Sequence, residues 1–405
     1  MDAEPGSRAQ CGVRQWLSYE KSGDESLPPP LLPGTVSGRL AVDQRLGEPM
    51  NELHRNAVVA DAHNDLLMLV ARRPKEVWGS YFRERWIPQL RDGGIDVQVL
   101  PVFIDDEFRP EGSLRETLRM IEAAHQIAEA NADQVALCRS GAEIEAATGA
   151  GKIALVLALE GCPQIDTDVE LFHTLHRLGV RVISFTHFGR SALADGSGED
   201  AAGSRLTKAG VEAVGLLEEL GVLIDVSHVG RGGVEHILEL ATKPVIATHS
   251  SAYALRPHHR NLTDDQLRAI AATGGVVCVN FFAGFLTEDD KPTIQHLADH
   301  VEHLIAVAGE DHVGLGSDFV AEVFGEKIPA CDLPLIIEGM DAHLYVPGLE
   351  GPAGMPLVTD ALVERSLSEA VVRKVLGANL VRVLGTTDRG QITQSHRSLP
   401  PEIIA

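Results

Sequence analysis

Eight short runs of β-branched and apolar residues recur between residues 57 and 318, separated by stretches with helical spacing. They are AVVADAH (57–63), IDVQVLPVF (95–103), IALVLALE (153–160), VRVISFTH (180–187), GVLIDVSH (221–228), KPVIATH (243–249), GGVVCVNFF (274–282) and HVGLGSD (312–318). Near-continuous apolarity of this kind is what a parallel strand needs when both of its faces are covered. The intervening segments, among them SLRETLRMIEAAHQIAEAN, SRLTKAGVEAVGLLEEL, LTDDQLRAIAAT and IQHLADHVEHLIAVAG, are amphipathic at the helical period. Strands alternating with helices imply right-handed crossovers and a parallel sheet. Eight such units over about 260 residues predict a closed (β/α)8 barrel of the TIM type, in the α/β class. A doubly wound open sheet is the alternative architecture that periodicity alone leaves standing.

Outside the barrel the chain reads differently. Residues 1–50 contain SGDESLPPPLLPGTVSG, rich in Pro, Gly and Ser, and form an N-terminal extension in this reading. Residues 51–385 carry the barrel, an irregular Gly/Pro-rich stretch after Asp318, and closing helices in TDALVERSLSEAVVRKVLGANLVRVLG; residues 386–405 are a tail. With 35 basic against 58 acidic residues the formal charge is −23. That field repels phosphate backbones and anionic membranes and argues against a nucleic-acid partner. Five scattered cysteines (Cys11, Cys138, Cys162, Cys278, Cys331) form no CxxC pair, which suits a reducing compartment without a disulfide frame. The opening MDAEPGSRAQ lacks the pattern of a secretion signal, and no apolar run approaches the roughly 18 residues of a membrane span. The expectation is a cytoplasmic protein without a membrane anchor.

In a parallel barrel the chemistry sits where the strands end. Six of the eight runs end on a ligand or acid–base group: His63 with Asp65, Glu160, His187, His228, His249 and Asp318. Residues i and i+2 of a strand share a face, so His63 and Asp65 are expected to converge on one ion. Taken alone, a His-x-Asp pair is equally well a structural hydrogen bond. Glu160 closes an apolar run, and a buried carboxylate needs a cation or donors; an arginine partner is the plain alternative. His228 or His249 alone could be a buried histidine satisfied by a carbonyl. Other histidines of the 17, including His125, His173, His176, His296, His300 and His303, lie in helical stretches and read as surface residues. Together His63, Asp65, Glu160, His228 and His249 make a full set for two divalent ions, with Glu160 shared. Mixed nitrogen and oxygen donors suit Zn²⁺ best, with Mn²⁺ or Co²⁺ as substitutes. Cys162 reads as a small buried thiol.

The wording around these residues resembles the membrane (renal) dipeptidase family of zinc metallopeptidases. The matching stretches are DAHNDLL, RWIPQLRDGGIDVQVLPVF, LALEG, ISFTH, LIDVSHVG, VIATHSSA, HHRNLTDDQL and GLGSDF, with LSEAVVRKVLGANLVRVL similar to the family's closing helices. The resemblance implies a distorted (β/α)8 barrel of the metal-dependent hydrolase kind. It also implies one zinc on His63, Asp65 and Glu160 and a second on Glu160, His228 and His249. In this pattern His187 contacts substrate, Arg260 binds the substrate carboxylate and Asp318 works in proton transfer. The chain departs from the family at Asp318-Phe319-Val320-Ala321, where Asp-Phe-Asp-Gly is usual, at Phe188, where asparagine is common, and in lacking Pro-Trp after HNDL.

The function expected is hydrolysis of dipeptides by a hydroxide shared between the two zincs, with a D-residue accepted at the C-terminal position. Arg260 would select short substrates through a bidentate grip on the free carboxylate, with Arg256 as substitute and Tyr253 lining the pocket. A homodimer is expected by family analogy alone. The alternatives are a hydrolase on the same barrel acting on a lactone, cyclic amide or N-acyl bond, and a metal-binding scaffold without catalysis. No G-x-G-x-x-G follows the first strand, which disfavours a Rossmann cofactor enzyme.

Overall fold

The structure, a computed structural model, describes residues 51–289, 291–319, 321–323 and 345–389. The extension at 1–50, residues 390–405 of the tail, Val320 and most of the irregular stretch after Asp318 lie outside the described residues. Nine parallel strands are described: β1 (Ala60–Asp61), β2 (Val97–Phe103), β3 (Val135–Leu137), β4 (Ile153–Glu160), β5 (Val180–Ser184), β6 (Leu223–Asp225), β7 (Val245–Ala247), β8 (Val276–Asn280) and β9 (Val313–Gly316). Eight close a barrel in the order β1-β2-β4-β5-β6-β7-β8-β9, with β9 pairing back onto β1. The expected barrel is therefore present.

The ninth strand, β3, is an addition to the eight expected. It pairs with β4 from Ile153 to Leu155, the part of that edge that β5 leaves open. Only three residues long, it is too short to show a period in the sequence. The other edge of β4 pairs with β2 over seven residues, from Val97↔Ala154 to Phe103↔Glu160.

The pleat of β4 explains the placement of its last residue. Ala154, Val156 and Ala158 join small residues of the other strands, such as Ala60, Val97, Val182 and Val276, in the barrel interior. Ile153, Leu155, Leu157 and Leu159 alternate with them and belong to the larger apolar layer shared with the surrounding helices. Each such buried leucine contributes about 1.5–3 kcal/mol relative to an exposed one. Glu160 continues the inward series and so must enter the barrel mouth.

Helices cover the outside: α1 (Leu66–Ala71), α2 (Trp78–Asp92), α3 (Ser113–Ala130), α4 (Gly141–Gly149), α5 (Leu171–Leu178), α6 (Lys208–Leu220), α7 (Arg231–Leu240), α8 (Asp264–Ala272), α9 (Ile294–Ala308), α10 (Met355–Glu364) and α11 (Asn379–Leu384). The start of α8 is set by a capping box in which Thr263 and Gln266 satisfy each other's backbone N–H groups. Ile144 and Ala147 of α4 and Leu380, Val383 and Leu384 of α11 extend the interior cluster and plug the barrel where its strands begin. The opposite end stays polar. Among the described residues no helix is long and apolar enough to cross a membrane.

Candidate metal centre

Of His63, Asp65, Glu160, His187, His228, His249 and Asp318, Glu160 alone lies inside a strand; the others sit in the turns just beyond strand ends. His63 follows β1 by two residues, and Asp65 stands at the N-cap of α1 with φ −72° and ψ 12°. The pair therefore converges through a strand-to-helix turn, not through the pleat that the i, i+2 spacing suggests. His187 and His228 lie three residues past β5 and β6, and His249 and Asp318 two past β7 and β9. His228 and Asp318 have left-handed backbones, at φ 69° and 51°. Such a conformation costs a non-glycine residue about 1–3 kcal/mol and persists only where its surroundings fix it. Here the Asp318 N–H donates to the His63 carbonyl at 2.9 Å, and the His228 carbonyl accepts from Ser197 N–H at 2.7 Å. Two glycines permit close approach. A Cβ on Gly316 would stand 1.7 Å from the Thr248 carbonyl, and Gly161, at φ 80°, packs against the backbone of His187.

The turns bring the predicted ligands together around Glu160. Its Oε2 faces His63 Nε2 at 3.5 Å. Its Oε1 lies 2.9 Å from His228 Nε2, 3.6 Å from His249 Nε2 and 3.9 Å from His187 Nε2. Among the described residues no arginine or lysine pairs with Glu160, so the arginine-paired alternative does not hold. His63 Nε2 is 3.9 Å from Asp65 Oδ1, and the His228 and His249 Nε2 atoms are 2.8 Å apart. Three groups of donor atoms lie within 4.8 Å of one another: His63, Glu160 and His249; Glu160, His187 and His228; and His63, Asp65 and Asp318. His63, Glu160, His228 and His249 are at most 5% exposed, whereas the His187 side chain is 27% exposed, with its ring against that of His228 at 4.2 Å.

Electrostatics divide the cluster. Burial opposes a charge on His63, but the carboxylates of Glu160, Asp65 and Asp318 outweigh it and lift its pKa to about 10. Burial likewise opposes charge on Glu160, yet His63 and His228 hold it well below the usual carboxylate range. Burial, reinforced by Arg260 and neighbouring imidazoles, keeps His228 and His249 neutral, far below the ordinary histidine value. Burial and the Glu160 charge raise Asp318 despite His63, Arg260 and its hydrogen bond from Asn280.

Behind the cluster lie two buried carboxylates that sequence reasoning missed, Asp61 and Asp225. Asp61 Oδ1 accepts the backbone N–H of His63 (3.2 Å) and of Ser317 (2.8 Å), and Oδ2 accepts the Ser317 hydroxyl (2.6 Å). Asp225 Oδ1 accepts the N–H of Ser227 (2.9 Å) and of Thr248 (3.0 Å), and Oδ2 accepts the Thr248 hydroxyl (2.5 Å). Each carboxylate ties its own strand end to that of a neighbouring strand. Asn280, the last residue of β8, donates from Nδ2 to Asp318 Oδ2 at 2.9 Å while its Oδ1 accepts from Phe282 N–H. The available signal was a polar residue inside or ending an apolar run.

Arg260 is 3% exposed, contrary to the exposed turn its sequence suggests. Nη2 donates to the His249 carbonyl at 3.0 Å, Nε has no hydrogen-bond partner, and burial lowers its pKa to about 10. Its guanidinium lies 5.9 Å from the Phe188 ring centre and 5.5 Å from that of Phe285. Phe188 also meets His187, His228 and His259 edge-on. Arg256 is engaged by Glu288 and the Gly284 carbonyl, which removes it as a substitute. Tyr253 meets Arg231 at 5.0 Å instead of the cluster. Cys162 is a buried thiol bonded to the Ser184 carbonyl, its pKa pushed up by burial.

The surface reading of the helical histidines needs correction. His300 is 1% exposed; its Nδ1 accepts the Ala252 N–H at 3.0 Å and its Nε2 donates to the Leu286 carbonyl at 2.9 Å. His125, His173, His176, His296 and His303 are half-buried.

The donor set fits a divalent metal. Ligand atoms about 2.0–2.1 Å from a tetrahedral zinc stand about 3.4 Å apart, and the separations here run from 2.8 to 3.9 Å. His63 Nε2 is buried without a hydrogen-bond partner, aimed at the group that a cation would complete.

Residues 48–397 match the family model described as membrane dipeptidase, peptidase family M19. A protein of Schizosaccharomyces pombe described as an uncharacterized dipeptidase is 30% identical over 375 residues, which are 87% of this chain and 85% of its own. Dipeptidase verJ of Clonostachys rogersoniana is 30% identical over 277 residues, 68% of this chain and 66% of its own. Among solved structures, a metallopeptidase of Rhodobacter sphaeroides bound to a phosphinate mimic of the dipeptide L-Ala-D-Ala superposes with a TM-score of 0.72 at 25% identity. That likeness covers 82% of this chain and 99% of the other.

Proposed function

The chain belongs to the membrane dipeptidase family, and on that footing we propose that it hydrolyses the peptide bond of dipeptides with two divalent ions, zinc by the chemistry of its donors. His63, Asp65 and Glu160 would hold one ion, and Glu160, His228 and His249 the other. The observation that carries this reading is the way Glu160 presents Oε2 to His63 and Oε1 to His228 and His249. A carboxylate placed so could be shared by two ions. When bound, such ions supply a water acidified towards neutral pH and a Lewis acid for the scissile carbonyl.

The remaining work falls to residues of the chain. Asp318 receives the proton of the attacking water and passes it to the leaving amine, with Asn280 holding one of its oxygens in place. The partly exposed His187 donates to the developing oxyanion, a contact worth about 3 kcal/mol in comparable sites. Arg260 takes the free carboxylate of the substrate. Its unused Nε–H, its burial and the two flanking rings all suit a planar anion, and a buried guanidinium gains most from one. The grip fixes the distance from the terminal carboxylate to the bond cut, which selects dipeptides. Acceptance of a D-residue at the C-terminal position is supported by the ligand of the Rhodobacter sphaeroides relative.

The test is a panel of L,L- and L,D-dipeptides assayed beside lactones and N-acyl amino acids, before and after chelation. Dipeptides should be hydrolysed, with activity lost to the chelator and restored by zinc. Turnover of lactones or N-acyl compounds alone would overturn the proposal, and metal binding without turnover would mark a scaffold.

A further inference from the structure

The corner that carries His228 and His249 holds a chain of polar contacts running from a buried carboxylate to an imidazole. Asp225 Oδ2 lies 2.5 Å from the Thr248 hydroxyl oxygen, which lies 2.8 Å from His249 Nδ1. Three donors converge on Asp225: two backbone N–H groups on Oδ1 and the hydroxyl on Oδ2. Burial raises the Asp225 pKa above its ordinary value. All three contacts are donated to its oxygens, however, and donors of that number work against burial in favour of the carboxylate as acceptor. A threonine hydroxyl has one proton to give, and the short contact to a carboxylate claims it. The oxygen therefore turns a lone pair to His249, so that Nδ1 carries the ring proton and Nε2 is bare. We propose that Thr248, held by Asp225, is a positioning residue that fixes the Nδ1–H tautomer of His249 and so presents its Nε2 lone pair to the divalent ion.

Neighbouring contacts agree. The His249 N–H donates to Ser227 Oγ at 3.0 Å, so both the backbone and the ring of this residue are fixed from behind. His228, whose Nε2 is 2.8 Å from that of His249, has a buried Nδ1 with no hydrogen-bond partner. One imidazole of the pair is locked and the other is not. Outer partners of this kind usually govern metal affinity as strongly as orientation. The inference rests on the reading of His249 as a ligand.

The test uses the full chain labelled with ¹⁵N-histidine. In metal-free protein, long-range ¹H–¹⁵N spectra, assigned with a His249→Asn sample, should show His249 protonated at Nδ1; protonation at Nε2 would overturn the proposal. Zinc affinity is then measured against a competing chelator for the wild type, Thr248→Val and Thr248→Ser. The valine variant should bind one of two ions about ten- to a hundredfold more weakly, and serine, which keeps the hydroxyl, should restore it. Two ions bound at wild-type affinity by Thr248→Val, or a serine variant as weak as valine, would overturn the inference while leaving the ligand reading intact. A wild type that takes up no zinc would instead overturn the ligand reading, and the inference with it. Should Thr248→Val not fold, the wild-type spectrum and the serine variant decide.

Discussion

At the β1/β9 corner, Asp61 grips the backbone of His63 and Ser317, and its hydroxyl partner Ser317 also reaches the His63 carbonyl at 3.1 Å. At the β6/β7 corner, Asp225 grips Ser227 and Thr248 with the same pattern of two N–H groups and one hydroxyl, but that hydroxyl reaches an imidazole. The clamps match while the groups they present differ. At the first corner burial opposes a charge on His63, but Glu160 above all, with Asp65 and Asp318, lifts its pKa to about 10. The second corner holds two neutral imidazoles kept uncharged by burial. One corner is thus built from charge and, in the proposed reading, holds the proton acceptor; the other is built from neutral nitrogen donors. Glu160 faces both, and the His63 and His249 rings meet beside it with centroids 3.7 Å apart.

The variant that should erase the comparison is Glu160→Gln. It removes the charge shared by the two corners, so both ions should be lost with several kcal/mol of transition-state stabilisation, about a thousandfold or more in turnover. Elemental analysis and a dipeptide assay check this, and retention of either ion would show that the corners are independent. Asp318→Asn sharpens the comparison by disarming the charged corner alone. Metal content should persist while kcat falls by about 10²–10⁴, and near-normal rates would place the proton elsewhere.

Much of this arrangement was legible in the sequence, and the gaps have physical causes. Glu160 could be placed because inward and outward residues alternate through the whole of IALVLALE. His63, His228 and His249 stood out because each follows an apolar run, although the real strands stop two or three residues earlier and turns do the final aiming. Asp61 and Asp225 were hidden by proximity to the residues they serve, since DAH and IDVSH draw attention to the histidine. A carboxylate within an apolar run is itself a sign of converging N–H donors. His300 was misplaced although the helical period carries it: Leu297, Val301 and Leu304 share its buried stripe. Arg260 looked exposed because its neighbours in RPHHRN are polar, and only the fold lays Phe188 and Phe285 around it. Nothing local could announce β3.

Two smaller effects separate substrate from scaffold. Arg260→Ala should leave both corners loaded and raise the KM for dipeptides by about ten- to a hundredfold, the loss of a charge-assisted hydrogen bond. Unchanged kinetics would remove the guanidinium from the site. His300 supports the loop after β7, accepting the Ala252 N–H at 3.0 Å. Burial lowers its pKa to about 4 from an ordinary 6.5. The unfolded chain therefore takes up this proton first as pH falls. Stability owed to the neutral ring is complete above pH 6.5 and is lost between there and about pH 4. The full loss is about 3 kcal/mol, and denaturant midpoints at pH 7 and 4.5 should differ less in His300→Gln than in the wild type. An equal difference in both would show that the ring does not titrate on unfolding.

The central claim is that two ions sit side by side with Glu160 between them, and counting metal in the wild type and in His228→Ala tests it most directly. Two equivalents per wild-type chain and one in the variant, with His63, Asp65 and Glu160 still loaded, is the result expected. A wild type with no tightly held metal, or a variant that keeps both equivalents, would contradict it.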